Sequence, residues 1–511
     1  MRLMGAAALV ALVACAVHVP HPALHEAREV PTLDSVAAPL KVHARAGTVY
    51  QLAQWRFDAA DSVLAGAGTR YAIDRRPLES GEFRIPLDSI ALVETSGTET
   101  LHPAGKSVLA MMTTVWGAVT IACAVDPKAC FGSCPTFYVD AVSATRPRAE
   151  GFSASIARAL EATDVDALDL VQPGGGRVTI RMANEAWETH AVRQVQLLAI
   201  PVRRAEEVFA TSGGRFHAVE QLLPPARCMA SGEDCRAAVS MRDSLEWRPF
   251  TDSTDLAAPD TIELAFVAPG GTEGLGLVLG ARQSFVSTFL LYQTMAYLGH
   301  EAGAWLAALE RGDPIARRAH EAVSQALGRI AVAIADSAAG WRTVGSFDEA
   351  GPIATDVQLI PLPLGRPVPA GDTVRVRLVM ARGSWRVGYA ALAAVGAERA
   401  AITLEAIQVR GPDPEAGERL RGGRGYLFTV PGDEYLLTYA LPRDAGTYAL
   451  YIKSRGYYYE WMRGEWLSEE DPHMVALLSL SPRDALRKLA PKFKSVEAGF
   501  ERHFWASRFG R

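Results

Sequence analysis

The sequence predicts a mainly β fold with helical insertions: a small N-terminal barrel-like module, one or two β-sandwiches and a C-terminal helix. Three observations carry this expectation. Short apolar runs separated by Gly, Pro or Asp turns recur through residues 47–100, 135–270 and 329–480. Helical spacing of apolar residues is confined to 271–328 and 481–511. The 511 residues are 49% hydrophobic and 21% charged, proportions of a globular chain rather than of a disordered or collagen-like one. With 52 Lys and Arg against 57 Asp and Glu, the net charge is −5, so no basic surface points to a nucleic-acid partner.

At the N-terminus, Arg2 precedes an apolar stretch over residues 5–14 and then Cys15. One positive charge, a short apolar run and small residues form the pattern of a secretory signal peptide. The run is too short for a spanning helix, which needs about 20 apolar residues. Leu12-Val13-Ala14-Cys15 resembles the lipobox of bacterial lipoproteins. The resemblance implies that residues 1–14 are removed and that Cys15 is lipidated. It also implies that the chain is held at the bacterial cell envelope, on the periplasmic face or the cell surface, with the membrane as a partner through its lipid. The other reading is a signal peptide cut elsewhere, with an incidental cysteine.

Residues 15–46 carry Pro20, Pro22, Pro31 and Pro39 and no apolar period, and read as a tether. His18, His21 and His25 lack the Cys or carboxylate partners that close a metal site. Residues 47–100 follow as the small β module, with strands expected at 48–52, 55–58, 63–66, 69–74, 82–86 and 90–95. The segment 101–134 opens with residues 107–125, which hold no charge. A crossing here would put the anchored N-terminus and residues 126–511 on opposite sides of a membrane, so a buried or membrane-resting helix is expected. Cys123 in this run reads as a buried thiol. Cys130 and Cys134 flank Gly132, and Cys228 and Cys235 flank a polar loop. Both pairs are candidate disulfides, which an oxidising compartment favours. A redox or metal role for Cys130 and Cys134 is weaker, because their spacing is not Cys-x-x-Cys.

Residues 135–270 read as a β-rich domain, with strands at 136–142, 177–183, 189–201 and 261–268. Helices are expected over 284–311 and 315–327, within a helical insert at 271–328. A second sandwich is expected over 329–480, and the tail 481–511 as a helix whose first turn holds Pro491. Two segments echo each other: 177–187 and 373–385 both carry Met-Ala, three residues, then Trp, before another apolar strand. The echo marks either two related sandwiches or a coincidence of short patterns. The second copy also resembles the hairpins of jelly-roll carbohydrate-binding modules, a likeness that bears on fold and not on function.

Most chemical motifs fail on their own spacing. His300-Glu301 begins a zinc-protease helix, but Ala304 stands where the second histidine is needed. Gly274, Gly276 and Gly280 precede a helix without the Lys-Ser or closing Gly of a phosphate loop. Asp164, Asp166 and Asp169 supply part of a calcium cage, which needs six or more oxygens. No catalytic residue and no cofactor is predicted. The densest aromatic stretch holds Tyr457, Tyr458, Tyr459, Trp461 and Trp466, and is either a binding surface for a glycan or protein or interior packing. Together these features predict an envelope-anchored, non-catalytic binding or scaffolding protein, with a glycan or an envelope protein as partner. The alternative is an envelope hydrolase acting on glycans, its carboxylates contributed by separate strands.

Overall fold

The computed structural model describes residues 17–33, 40–44, 48–71, 77–101, 134–139, 147–186, 188–269, 274–302, 305, 309, 312–336, 340–348, 351–365, 367–421, 425–429, 432–444, 446–460 and 469–506. Strands dominate, as the sequence predicts, and the chain divides into two compact units, residues 1–120 and 121–511. No helix of the described residues is long and apolar enough to cross a membrane. The run 107–125 lies outside the described residues, as do Cys15, Cys123, Cys130, Trp461 and Trp466.

The first unit is an open antiparallel sheet of six strands, not a barrel. Their order is Val17–Glu26, Ile90–Leu101, Leu40–Ala44, Val49–Asp58, Val63–Tyr71 and Pro77–Pro86. Two of these strands come from the stretch that composition marks as a tether, so that expectation is corrected: Pro20 and Pro22 are accommodated in a strand at the sheet edge, and Pro31 in the short 3-10 helix that follows it. The strands are also longer than the turn signals suggest. Leu52 and Trp55 are both buried although three residues apart, a spacing that in a regular strand sends them to opposite faces. A bulge between Leu52 and Gln54 returns both to the core. The bulge also pushes backbone against the neighbouring strand, where a Cβ at Gly68 would sit 2.0 Å from the Gln51 carbonyl oxygen.

The second unit holds two β-sandwiches. In the first, one sheet orders Gln408–Arg410, Glu434–Ala440, Arg177–Ala183, Thr136–Tyr138 and Ala149–Glu150. The facing sheet orders Ile402–Leu404, Glu188–Val202, Thr447–Glu460 and Ala162–Pro173. Alternation along Arg177–Ala183 turns Val178, Ile180 and Met182 inward, where they meet Val195, Leu197, Leu450 and Ile452.

The second sandwich packs a six-stranded sheet against a ring. The sheet orders Glu233–Asp234, Arg227–Ala230, Pro259–Val267, Thr373–Ala381, Ile330–Asp336 and Gly340–Phe347. The ring runs Glu207–Ala210, Phe216–Leu223, Trp385–Arg399, Leu275–Gln283 and Asp356–Leu362, and comes round through a parallel bridge between Ala210 and Gln358. Ile262, Leu264, Val376 and Leu378 of the sheet meet Leu277, Leu279 and Leu392 of the ring. Gly276 and Gly280 lie inside Leu275–Gln283 and alternate with Val278, whose side chain fills the ring, so these glycines form no loop.

The two sandwiches are not consecutive. Glu188–Val202 pairs along its length with Thr447–Glu460, while the second sandwich occupies residues 207–399 between them. The expected boundaries at 135–270 and 329–480 are corrected accordingly, because alternation identifies a strand but not its partner. The two echoed segments take the same path in each sandwich. A strand in one sheet turns into a 15-residue strand on the opposite side of the core, Glu188–Val202 or Trp385–Arg399.

Helices Val286–Leu298, Pro314–Leu327, Pro472–Leu480 and Pro482–Ala506 pack around Phe289, Leu290, Met474, Leu486, Leu489 and Phe493. Asp313 caps the second through the Ile315 and Ala316 amides, and Pro314 occupies its first turn. The expected helix 284–311 is interrupted at Gly299, which takes φ 49°. Pro491 lies inside the last helix rather than at its start, because that helix begins at Pro482.

Candidate functional site

The two sandwiches meet along the outer face of Glu188–Val202 and Thr447–Glu460. Leu198, Ile200, Ala449 and Tyr451 pack there on Val208, Ala210 and Phe216 of the second sandwich. The Tyr451 hydroxyl donates to the Val208 carbonyl at 2.7 Å, and its ring stands edge-on to Phe216. Along this seam the fold gathers carboxylates from three strands.

Glu150 is buried at the end of its strand. Its Oε2 accepts from the Ile353 amide at 3.1 Å, and its other oxygen fills the space a Cβ would need at Gly351. Asp164 lies on Ala162–Pro173, with Oδ2 accepting from the Phe152 amide and Oδ1 from its own neighbour's, Val165. Asp356 starts the ring strand Asp356–Leu362 and accepts from Gln358 Nε2 at 2.7 Å. Burial pushes Asp356 up to about 7, and the charges of Asp164 and Asp169 add to the rise. Burial likewise lifts Asp164 to about 6, against the pull of the two amides. Glu150 is raised well above the ordinary carboxylate range, again by burial first, and Asp164 contributes. Two carboxyls from different sandwiches thus exchange protons near neutrality, the property a general acid needs.

Asp169 stands apart from this group. A bulge places it at φ 50°, where its carboxylate faces Arg242 at 3.7 Å and Arg148 at 3.9 Å. Arg242 also pairs with Glu207 and lies over the Phe209 and Tyr389 rings. Asp164, Asp166 and Asp169 therefore do not share a calcium cage: one is spent on amides and another on arginines. No group of three His, Cys, Asp or Glu among the described residues is arranged to hold a metal ion.

A second polar cluster lies inside the first sandwich, beneath the helix Val286–Leu298. His190 and Glu188 are fully buried, 2.8 Å apart through Nε2 and Oε1. Their cross-strand partners are Tyr458 and Glu460. Glu460 accepts from the Tyr292 hydroxyl at 2.9 Å, and the Tyr458 hydroxyl donates to the Ser153 carbonyl. Cys134 Sγ sits 2.9 Å from Ser153 Oγ, while Cys130 falls outside the described residues. Burial drives His190 down to about 3, so its imidazole is neutral, and the charge of Asp433 works against this.

Of the aromatic stretch, Tyr457 and Tyr458 take the interior-packing reading rather than that of a binding surface, while Trp461 and Trp466 lie outside the described residues. Tyr457 and Tyr458 are 0% and 1% exposed, because Thr447–Glu460 is paired on both sides and covered on both faces. Tyr458 enters the first core and Tyr457 packs on Ala191 and Tyr426. Tyr459 pairs with Thr189 in the backbone. Beside them Glu161 accepts from Arg193, Tyr426 and Arg455. Burial opposes its charge, but these donors outweigh it and hold the carboxyl below its usual range. The Cys228–Cys235 disulfide is present, with Cα atoms 5.1 Å apart and both residues in the second core.

The carboxylate group at the seam has no spacing signature, since Glu150, Asp164 and Asp356 meet only through the fold. The local sequence offers no signal for them: Glu150 stands in the polar stretch Thr145–Gly151, and Asp356 just follows the loop residues Gly351 and Pro352.

No protein-family model matches the chain, and no curated protein matches it. Part of it is similar to the structure of BpGH86A, a beta-porphyranase of glycoside hydrolase family 86 from the human gut bacterium Bacteroides plebeius. The identity is 12%, over 44% of this chain and 36% of that one, with a TM-score of 0.16. The chain thus spans about a third of that protein, and a likeness at this score carries no argument.

Proposed function

We propose that the chain is an envelope-anchored lipoprotein, lipidated on Cys15, that binds a glycan or an envelope protein without turning it over. The observation that carries the setting is the Cys228–Cys235 disulfide, a bridge that persists in oxidising compartments and not in a reducing cytosol. The lipobox-like Leu12-Val13-Ala14-Cys15 supports the anchor, and the broad sheet faces of two sandwiches suit a holding role. Radioactive palmitate should enter the wild-type chain and not Cys15→Ser; label surviving that substitution refutes the anchor. The detergent-solubilised full chain should be retained on a glycan array or by envelope extract, and retention by neither refutes the binding role.

One observation favours a second reading, hydrolysis of an envelope glycan. Asp164 and Asp356 come from different sandwiches, meet at the seam, and are both raised by burial toward the range in which a carboxyl can act as a general acid. Hydrolysis of an envelope polymer that disappears in both Asp164→Asn and Asp356→Asn would establish it. Hydrolysis unaffected by either substitution would remove these residues from it.

A further inference from the structure

The six-stranded sheet of the second sandwich turns one face to its core and the other outward. The outward residues follow from the register. One row crosses the sheet as Arg227, Ala265, Arg375, Ala335 and Trp341, and the next as Met229, Glu263, Arg377, Ala333 and Thr343. The small alanines on the strand Ile330–Asp336 let Trp341 and the arginines close over them, and Ala333 beneath is buried. Across this strand the Arg377 guanidinium reaches 4.0 Å from the centre of the Trp341 ring, and Arg375 reaches 5.2 Å. Glu263 braces both arginines from the far side, at 3.6 Å from Arg375. The face stays open: the Arg375 side chain is 54% exposed, and Val267 at its margin is 51% exposed. Arg227, Arg375 and Arg377 against Glu263 and Asp234, which continues the second row beyond Met229, leave it cationic by one charge. The acidic Glu233 and Asp234 sit on the opposite edge strand from Trp341.

We infer that this outward face, with Trp341, Arg375 and Arg377 as its anchors, binds an acidic polysaccharide of the uronic-acid type. Arg377 stacks on one face of the half-buried Trp341 indole, and the other is a flat apolar surface suited to the C–H face of a sugar ring. A guanidinium presents a planar fork matched to a carboxylate, a match that lysine does not make. Neutral glycans use the first feature and not the second, so the charge of the face selects among them. The inference rests on the binding role proposed above and names its ligand class and its surface.

The test is affinity electrophoresis of the full chain through gels holding polygalacturonate or dextran. Polygalacturonate should retard the wild type at low salt, less so as salt rises, and dextran should not. Trp341→Ala should weaken the retardation about tenfold, a typical loss for a tryptophan anchor, and Trp341→Phe should keep most of it. The pair Arg375→Gln and Arg377→Gln should abolish the preference for the acidic polymer. These two side chains point away from the core, so that variant should retain the wild-type melting curve even if Trp341→Ala does not. Retardation unchanged in the arginine variant and in a folded Trp341 variant overturns this face while leaving the glycan-binding role in place. Equal retardation by dextran overturns the acidic class. Retardation by neither polymer overturns the inference, whereas the binding role stands or falls on the array and the envelope extract.

Discussion

Two buried charged clusters in the second unit solve the same problem in opposite ways. At the seam, Glu150, Asp164 and Asp356 are carboxyls supported chiefly by amides, and burial makes each take up its proton at a higher pH than a free carboxyl does. At the last helix, charge is kept and matched. Arg282 donates to both oxygens of Glu246 at 2.8 Å and to Glu501 at 2.9 Å, with its remaining nitrogen on the Pro352 carbonyl. Arg386 reaches the same Glu501 and the Gly383 carbonyl. Burial works against the charge on Glu501, yet Arg386 and Arg282 outweigh it and hold the carboxyl below its ordinary range. Burial alone therefore does not decide ionisation; the presence of a cation within hydrogen-bond reach does.

This contrast can be broken first at the arginines. Glu501→Ala leaves two buried guanidiniums short of their shared partner, and should cost about 3–5 kcal/mol in urea unfolding. A loss under 1 kcal/mol would mean that the clamp is ornamental. At the seam the sign is different. A carboxyl whose folded pKa lies above its unfolded value stabilises the protein below about pH 4, and that stability is lost as pH rises toward 7. Asp356→Asn should remove its own share of this decline, of the order of 3 kcal/mol between pH 4 and 8. His190, lowered to about 3, acts the other way: its contribution is present above its unfolded value near 6.5 and fades as pH falls toward 3. Asp356→Asn, followed by denaturation midpoints, should therefore fall less steeply than the wild type between pH 4 and 8, with Asp164 and Glu150 keeping the rest of the decline. A slope equal to that of the wild type would contradict a protonated Asp356. The smallest effect is expected at Arg455, whose pairing with Glu161 is solvent-washed. Arg455→Ala should cost less than about 1 kcal/mol at low salt and nothing measurable at high salt.

Parts of this molecule are legible before any coordinates. The strand Thr373–Ala381 follows from strict alternation, and the helix expected over 315–327 is found at Pro314–Leu327. Elsewhere the local signal is correct and its meaning is not. Tyr457 and Tyr458 are consecutive and both buried, the mark of a central strand covered on two faces, where alternation ceases to separate inside from outside. Bulges defeat periodicity at Leu52–Gln54, and the prolines of residues 17–26 conceal an edge strand. The carboxylates of the seam, like the Trp341 and Arg377 pair, depend on which strands lie side by side. That information resides in registers between distant segments rather than in any stretch of sequence.

The insertion of one sandwich into another also sets an order of events. Residues 207–399 can close their own core while the chain is still emerging. The long strand Glu188–Val202 must wait for Thr447–Glu460 before its central pairing exists. Closing so distant a contact is slow, and the waiting strand offers unpaired backbone to any neighbour in the meantime. A prefolded insert draws the two halves of its host together and shortens that search. Substitutions that loosen the second sandwich should therefore first appear as misassembly of the first, in residues they never touch.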